Sequence, residues 1–276
     1  MSNQIKTKKL IRSVLNPNNL FCRANYLFIF SHMRSRSTLL AHILGSNSEI
    51  CGYNELHQAY EDKLSLLKMR VKLNYDVDGS FQNKYLLDKV LHNAYSITDD
   101  IMQAVQPKVI FLLRNAESSL QSIIRMGKYP ATQEYANPYV AMDYYCGRLQ
   151  QLAAYSSQLE QNYFFIESDD LLTQNELVLG HLSNWLGLKE PLSKNYSTFR
   201  NTGKHGFGDM SDHIKAGVIH ETGNYPALNF PIDVLHEAHN AYKSCKATLI
   251  KNQRIASQAT AGPQSISNFK TLAHLF

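Results

Sequence analysis

The sequence predicts a three-layer α/β/α fold in which helices cover both faces of a central parallel sheet. Two short runs, Tyr26–Phe30 and Val109–Leu113, are wholly apolar, which is typical of strands buried on both faces. The stretch after the first run, Ser37–Ser46, has leucine and isoleucine at helical spacing. Buried strands that alternate with helices indicate a parallel sheet.

The later part of the chain continues this alternation. Its predicted elements are a helix from about Glu117 to Arg125, a helix over Met142–Leu159, a strand over Tyr163–Ile166 and a helix ending near Gly187. The segment Ala256–Ser267 is rich in small and polar residues, which predicts a loosely ordered tail over residues 256–276. We therefore expect a single domain over residues 1–255.

Composition excludes several classes of protein. The 276 residues carry 28 Lys and Arg against 23 Asp and Glu, a formal net charge of +5, and 44% of them are hydrophobic, which excludes intrinsic disorder. The apolar runs are far shorter than the ~20 residues that cross a bilayer, so no membrane span is expected. The modest, scattered positive charge suits a small anionic ligand better than nucleic acid.

Four widely spaced cysteines without a C-x-x-C pair predict a reduced, cytoplasmic protein that holds no metal.

The segment after the first strand is a candidate anion-binding loop. Residues Phe30–Leu40 (FSHMRSRSTLL) join the strand directly to a helix, and the amino terminus of a helix binds phosphate through its unpaired N–H groups. The candidate ligands are Arg34, Ser35, Arg36, Ser37 and Thr38. The segment lacks the G-x-x-x-x-G-K-[ST] pattern of a Walker A loop. Taken alone, it fits equally well a Ser/Thr-capped helix with two solvated arginines.

The end of the second strand suggests a further anion site. Magnesium-dependent P-loop enzymes hold the metal with an acidic residue after a later strand, but Val109–Leu113 is followed by Arg114. Ligands of open α/β folds bind at this carboxyl edge of the sheet, and Ser122 on the next helix can face the same anion. Two anion sites without a metal site suit a nucleotide that has phosphates on both sides of its ribose.

These segments resemble the sulfotransferases that use 3′-phosphoadenosine 5′-phosphosulfate (PAPS), in particular the bacterial and carbohydrate-type members. The first loop is similar to the family's 5′-phosphosulfate loop, and Arg114 with Ser122 is similar to its 3′-phosphate motif. The further similar segments, in the family's order, are Ser168–Leu172 (SDDLL), Trp185–Leu188 (WLGL) and Gly203–Asp209 (GKHGFGD). The resemblance spans Tyr26 to about Ile219. It implies a P-loop NTPase-like sulfotransferase fold, PAPS as co-substrate, and nucleotide contacts from Lys204 and Gly206.

Two arginines depart from the family pattern. Arg34 stands where soluble eukaryotic members have a catalytic lysine, and because arginine keeps its proton near neutral pH, its catalytic role must be electrostatic. Arg36 stands at the position of a glycine, so we expect ordinary backbone angles there.

The candidate general base lies after the first helix. Sulfuryl transfer needs a group that accepts the acceptor's proton, and the resemblance implies a glutamate in the turn Glu49–His57 (EICGYNELH). Glu55 is therefore the candidate base. His57 is the alternative, since the ordinary histidine pKa of ~6.5 suits proton transfer. A solvated turn glutamate without a catalytic role remains a third interpretation.

The sequence thus implies a sulfotransferase that moves a sulfuryl group from PAPS to a hydroxyl or amine, on a small molecule or glycan such as a saccharide or glycolipid. Two other functions stay open. One is an ATP-dependent P-loop kinase of a small molecule, against which the missing Walker lysine argues. The other is a non-catalytic PAP-binding module of the same fold. Residues 58–106 are rich in Tyr, Lys and Asn but identify no acceptor, and no pattern predicts the oligomeric state.

Overall fold

The computed structural model describes residues 17–159, 163–204, 208–209, 211–220 and 228–260, with the side chains of the last helix described up to Gln253. Helices and strands follow one another in the order α1 (Asn18–Phe21), β1 (Asn25–Ser31), α2 (Ser37–Gly45), β2 (Ile50–Cys51), α3 (Lys63–Asp76), β3 (Tyr85–Val90), α4 (Asp99–Val105), β4 (Lys108–Leu113), α5 (Ala116–Met126), a 3₁₀ segment (Pro130–Ala136), α6 (Pro138–Gln158), β5 (Tyr163–Glu167), α7 (Asp170–Thr173), α8 (Asn175–Leu186), α9 (Asp212–Lys215) and α10 (Ile232–Thr260).

The described strands form one parallel sheet in the order β2-β3-β1-β4-β5. Strand β1 lies at its centre, between β3 and β4. The loops that follow β1 and β4 therefore emerge side by side at the carboxyl edge. The predicted three-layer α/β/α fold is confirmed.

Alternate residues of β1 build the two layers of the core. Leu27 and Ile29 pack with buried residues of α2 and α8 on one face. Phe28 and Phe30 pack on the other face with buried residues of α3, α5, α6 and α10. All four side chains are fully buried, which explains why the run Leu27–Phe30 is apolar at every position rather than at alternate ones.

The predicted strands and helices are confirmed to within a few residues, whereas β2 and β3 are additions to the sequence prediction. Strand β3 contains Asp88 and Lys89, both 1% exposed, which interrupt the apolar pattern that a buried strand normally shows. Helix α10 continues to Thr260, and residues 261–276 of the predicted tail lie outside the described residues. Within the described residues, no helix is both long and apolar enough to cross a bilayer.

Candidate active site

Hydrogen bonds to β4 and to α6 hold the loop between β1 and α2 in place. The Ser31 hydroxyl bonds to the Leu112 carbonyl (2.5 Å) and to the Ser35 hydroxyl (2.6 Å). The Met33 N–H donates to the Tyr144 hydroxyl (2.7 Å), which in turn donates to the Leu91 carbonyl (2.7 Å). Ser35 is fully buried, so its hydroxyl supports the loop rather than facing the solvent.

The expectation of ordinary backbone angles at Arg36 is wrong. Arg36 has φ = 68° and Arg34 has φ = 63°, both in the left-handed region. The turn from β1 into α2 requires this conformation at the residue before the helix, whatever the side chain, and it costs a non-glycine residue about 1–2 kcal/mol. The Arg36 guanidinium offsets part of this cost by donating to Ser168 Oγ (3.0 Å) and Asp169 Oδ1 (2.5 Å).

The amino terminus of α2 points its donors toward a cleft. Among the described residues, no side chain caps this end of the helix, so its first N–H groups remain available for a ligand. Ser37 and Thr38 lie in the first turn, are largely buried and line the cleft. This end of the helix therefore has the features of an anion-binding site.

The late glycine-rich loop meets the same helix end. The Asp209 N–H donates to Thr38 Oγ1 (3.3 Å). Gly208 has φ = 102°, and a Cβ at this position would lie only 2.4 Å from Thr38 Oγ1. Glycine is therefore required for this close approach. Lys204 is exposed and is not among the described residues that line the cleft, and Gly206 lies outside the described residues.

The loop after β4 interlocks with the loop after β1. The Arg114 guanidinium donates to the Arg34 carbonyl (3.0 Å), and Arg34 Nε donates to Ser122 Oγ (2.9 Å) on α5. Asn115 caps α5 by accepting from the Ser118 N–H (2.9 Å), and its amide donates to Asp169 (2.9 Å). The structure thus brings together Arg34, Arg114 and Ser122, which the sequence assigned to two anion sites.

His32 has a structural role between these loops. Its Nε2 accepts from the Arg114 N–H (3.1 Å), so the ring proton lies on Nδ1 and is donated to the Met33 carbonyl (2.9 Å). Complete burial lowers the pKa of His32 to about 3. The imidazole is therefore neutral and both of its nitrogens are engaged.

Glu55 lies in the cleft beside two histidines. Its Oε1 is 3.5 Å from His57 Nδ1 and 3.4 Å from His92 Nε2. The residue is only 8% exposed, which contradicts the interpretation as a solvated turn glutamate. Burial raises the pKa of Glu55 to about 7, against the opposing positive charges of Lys89 and Arg148.

Residues of β3 that no sequence motif indicated position the Glu55 turn. Asp88 Oδ1 accepts from the Leu56 N–H (2.8 Å), and its Oδ2 accepts from the Tyr60 hydroxyl (2.5 Å). The Lys89 ammonium lies 3.5 Å from Thr38 Oγ1, which places a buried cation beside the anion-binding helix end. The only sequence signal was an Asp-Lys pair within an otherwise apolar run.

Arg148 is a second buried cation that the sequence did not reveal. Its guanidinium donates to the carbonyls of Ser31 (2.8 Å), Val90 and His92 (3.4 Å), and the residue is fully buried. It thereby joins the carboxyl ends of β1 and β3. An arginine within a long helix, α6, carries no local signal of this role.

The anion loops and the Glu55 cluster share one cleft of about 370 Å³. Arg34, Thr38 and Arg114 line one part of it, and Glu55 with His92 lines another. The apolar and aromatic lining includes Met33, Leu91, Met126 and Tyr129. A cleft that combines anion donors with a buried carboxylate can bind a phosphorylated nucleotide and accept a proton from a second substrate.

No protein-family model and no curated protein matches the sequence. Solved structures do match. The sulfotransferase domain from the curacin biosynthetic pathway has a TM-score of 0.51 and 21% identity, over 87% of this chain and 99% of that domain. The sulfotransferase domain from the Synechococcus PCC 7002 olefin synthase has a TM-score of 0.51 and 17% identity, over 79% and 95%. Mouse sulfotransferase SULT7A1 complexed with PAP has a TM-score of 0.47 and 12% identity, over 94% and 96%.

The first two similarities, together with the sheet topology, show that the chain has the sulfotransferase fold. This confirms the fold that the sequence motifs implied.

Proposed function

We propose that this protein is a PAPS-dependent sulfotransferase that transfers a sulfuryl group to a hydroxyl or amine of an acceptor. One observation carries the proposal: the anion-binding end of α2, Arg34 and the buried Glu55 line a single cleft on a sulfotransferase fold. Such a cleft can bring a sulfuryl donor and a proton-accepting group together.

The nucleotide is expected to lie along the carboxyl edge of the sheet. The helix end with Ser37 and Thr38 would bind the 5′-phosphosulfate, with charge supplied by Arg34. Arg114 and Ser122 would bind the 3′-phosphate. Backbone donors of Ser35 and Arg36, with Lys204 and Gly206, are proposed as further nucleotide contacts on the basis of the sequence resemblance.

In the reaction, Glu55 accepts the proton of the acceptor hydroxyl as the acceptor oxygen forms its bond to sulfur. The bond between sulfur and the bridging phosphate oxygen breaks, and PAP leaves with the added negative charge on its 5′-phosphate. Arg34 and the buried Lys89 stabilise that charge electrostatically. His57, with Nδ1 3.5 Å from Glu55, is the alternative base.

The acceptor proposed from the sequence is a saccharide or a glycolipid. The apolar lining from Met33, Leu91 and Met126 favours an acceptor with an apolar part, and therefore the glycolipid over a free sugar. Tyr129 can stack on a sugar ring in the same cleft. The protein is proposed to act in the cytoplasm, where its four free cysteines would stay reduced.

The kinase hypothesis is less well supported. A P-loop kinase holds magnesium with an acidic residue at the end of a strand, whereas β4 is followed by Arg114. A non-catalytic PAP-binding module would explain the anion loops but gives no role to a buried carboxylate in the same cleft.

The proposal is tested by nucleotide binding and by sulfuryl transfer with the purified chain. PAP should raise the melting temperature, and ATP with Mg²⁺ should do so much less. Transfer of labelled sulfate from PAPS to a panel of glycolipids, saccharides and phenols should then identify the acceptor. Stabilisation by ATP with Mg²⁺ but not by PAP would favour the kinase, and PAP binding without transfer to any acceptor would favour the non-catalytic module.

A further inference from the structure

We infer that Glu55, His57 and His92 form a binding site for a divalent transition metal of the zinc type. The bound metal would occupy the groups that accept the acceptor's proton, so it would inhibit the enzyme. The metal-binding part of this inference is independent of the proposed function, and only the inhibition rests on it.

The distances between the three side chains suit a single tetrahedral ion. Each residue offers one ligand atom, and the three atoms all lie within 4.8 Å of one another. Glu55 Oε1 is 3.5 Å from His57 Nδ1 and 3.4 Å from His92 Nε2. In tetrahedral coordination with bonds of about 2.0–2.1 Å, a zinc ion holds each pair of ligand atoms about 3.4 Å apart.

The state of the carboxylate is a second, independent observation. Glu55 is 8% exposed, and its Oε1 accepts no hydrogen bond from any described residue. A buried carboxylate oxygen normally has a hydrogen-bond partner or a cation. A cation held between this oxygen and the two imidazoles would satisfy the carboxylate.

The ligand set determines which metals fit. Two imidazole nitrogens and one carboxylate oxygen suit Zn²⁺, Co²⁺ or Ni²⁺, whereas Mg²⁺ and Ca²⁺ prefer sets composed of oxygens. His57 is 44% exposed, so the fourth coordination position can open toward the cleft. Lys89 and Arg148 place positive charge near Glu55 and lower the affinity for a cation. We therefore expect reversible binding rather than a permanently bound structural metal.

Local spacing in the sequence does not predict this site. Glu55 and His57 follow β2, whereas His92 follows β3, and only the parallel pairing of these two strands brings the three side chains together. The sequence expectation of no metal was based on spacing alone.

The test is a Co²⁺ titration of the full chain after treatment with EDTA and desalting, followed by visible spectroscopy in the absence of nucleotide and acceptor. We expect about one equivalent of Co²⁺ with the strong d–d absorption of a four-coordinate ion, displaced by Zn²⁺ and not by Mg²⁺. The variants His57→Ala and Glu55→Gln should each weaken binding at least ~10-fold, on the scale of metal-site substitutions. The matched control is His181→Ala, an exposed histidine on α8.

His57 is the first choice of variant because its side chain is exposed and its removal leaves no cavity in the core. Circular dichroism checks the fold of each variant. His92→Asn provides a second, independent ligand deletion. Absence of stoichiometric Co²⁺ binding, or binding that these variants leave unchanged, would overturn the inference. PAP binding is measured on the same samples. Metal binding without PAP binding would support the metal site and reject the proposed function. PAP binding without metal binding would support the proposed function and overturn the metal site.

Discussion

Arg34 Nε donates a hydrogen bond to Ser122 Oγ at 2.9 Å, which joins the loop after β1 to the helix after β4. Arg114 makes the reciprocal connection, because its guanidinium donates to the Arg34 carbonyl (3.0 Å). Arg34, proposed to bind the 5′-phosphosulfate, is thus hydrogen-bonded to Arg114 and Ser122, which are proposed to bind the 3′-phosphate. Binding at one end of the nucleotide should therefore affect binding at the other.

Arg114→Ala should weaken PAP binding roughly 10–200-fold, because a hydrogen bond to a charged group contributes about 1.5–3 kcal/mol. The loss should be much smaller for adenosine 5′-phosphosulfate, which lacks the 3′-phosphate. Calorimetric titration with both nucleotides checks this, with the exposed Arg23→Ala as the matched control. Equal losses for the two nucleotides would mean that Arg114 only supports the Arg34 loop.

Arg34→Ala should lower kcat by ~10²–10³, the scale of losing one electrostatic donor in a transition state. Arg34→Lys should restore only part of the rate, since lysine has no Nε–H to keep the bond to Ser122. Steady-state kinetics of sulfuryl transfer checks both variants. An unchanged kcat with a raised KM would show that Arg34 only holds the nucleotide.

Glu55→Gln should reduce kcat by ~10²–10⁴ by removing the general base while preserving its shape. PAP affinity should be unchanged or slightly higher, because a carboxylate that repels the phosphates is gone. His57→Asn and His92→Asn are compared in the same assay. Normal turnover by Glu55→Gln together with an inactive His57→Asn variant would assign the base to His57.

Arg36→Gly should be more stable than Arg36→Ala by about 1 kcal/mol. Both variants lose the bonds to Ser168 and Asp169, but only glycine relieves the left-handed backbone. The difference in the free energy of unfolding, measured with urea, isolates the strain. Alanine and glycine variants of equal stability would show that the loop relaxes when the side chain is removed.

His32 predicts a pH dependence of stability. Its pKa is lowered to about 3 in the folded protein, so its contribution is fully present above the ordinary value of 6.5 and is lost as the pH falls from 6.5 toward 3. The loss amounts to about 1.4 kcal/mol per pH unit. His32→Gln should be less stable at pH 7, and its deficit should shrink at this rate below pH 6.5. A deficit that is independent of pH would mean that His32 is charged or solvated in the fold.

Sequence alone predicted the parts of the fold that depend on local patterns. The apolar runs of β1 and β4 and the helices after them follow from burial on both faces and from helical spacing. The same local patterns placed Arg34, Thr38 and Arg114 at the carboxyl edge of a parallel sheet, where the structure brings them together. The positions of these residues could be predicted because the end of each strand and the start of the helix after it are adjacent in the chain.

Only the tertiary structure decided the part of the site that is built from distant segments. Asp88 and Lys89 break the apolar pattern of β3, and their burial depends on partners such as Tyr60 and Thr38 elsewhere in the chain. The approach of His92 to Glu55 depends on the pairing of β2 with β3. The local sequence does not reveal whether such charges are buried, because the cost of burial is balanced by groups that are near in space and far apart in sequence.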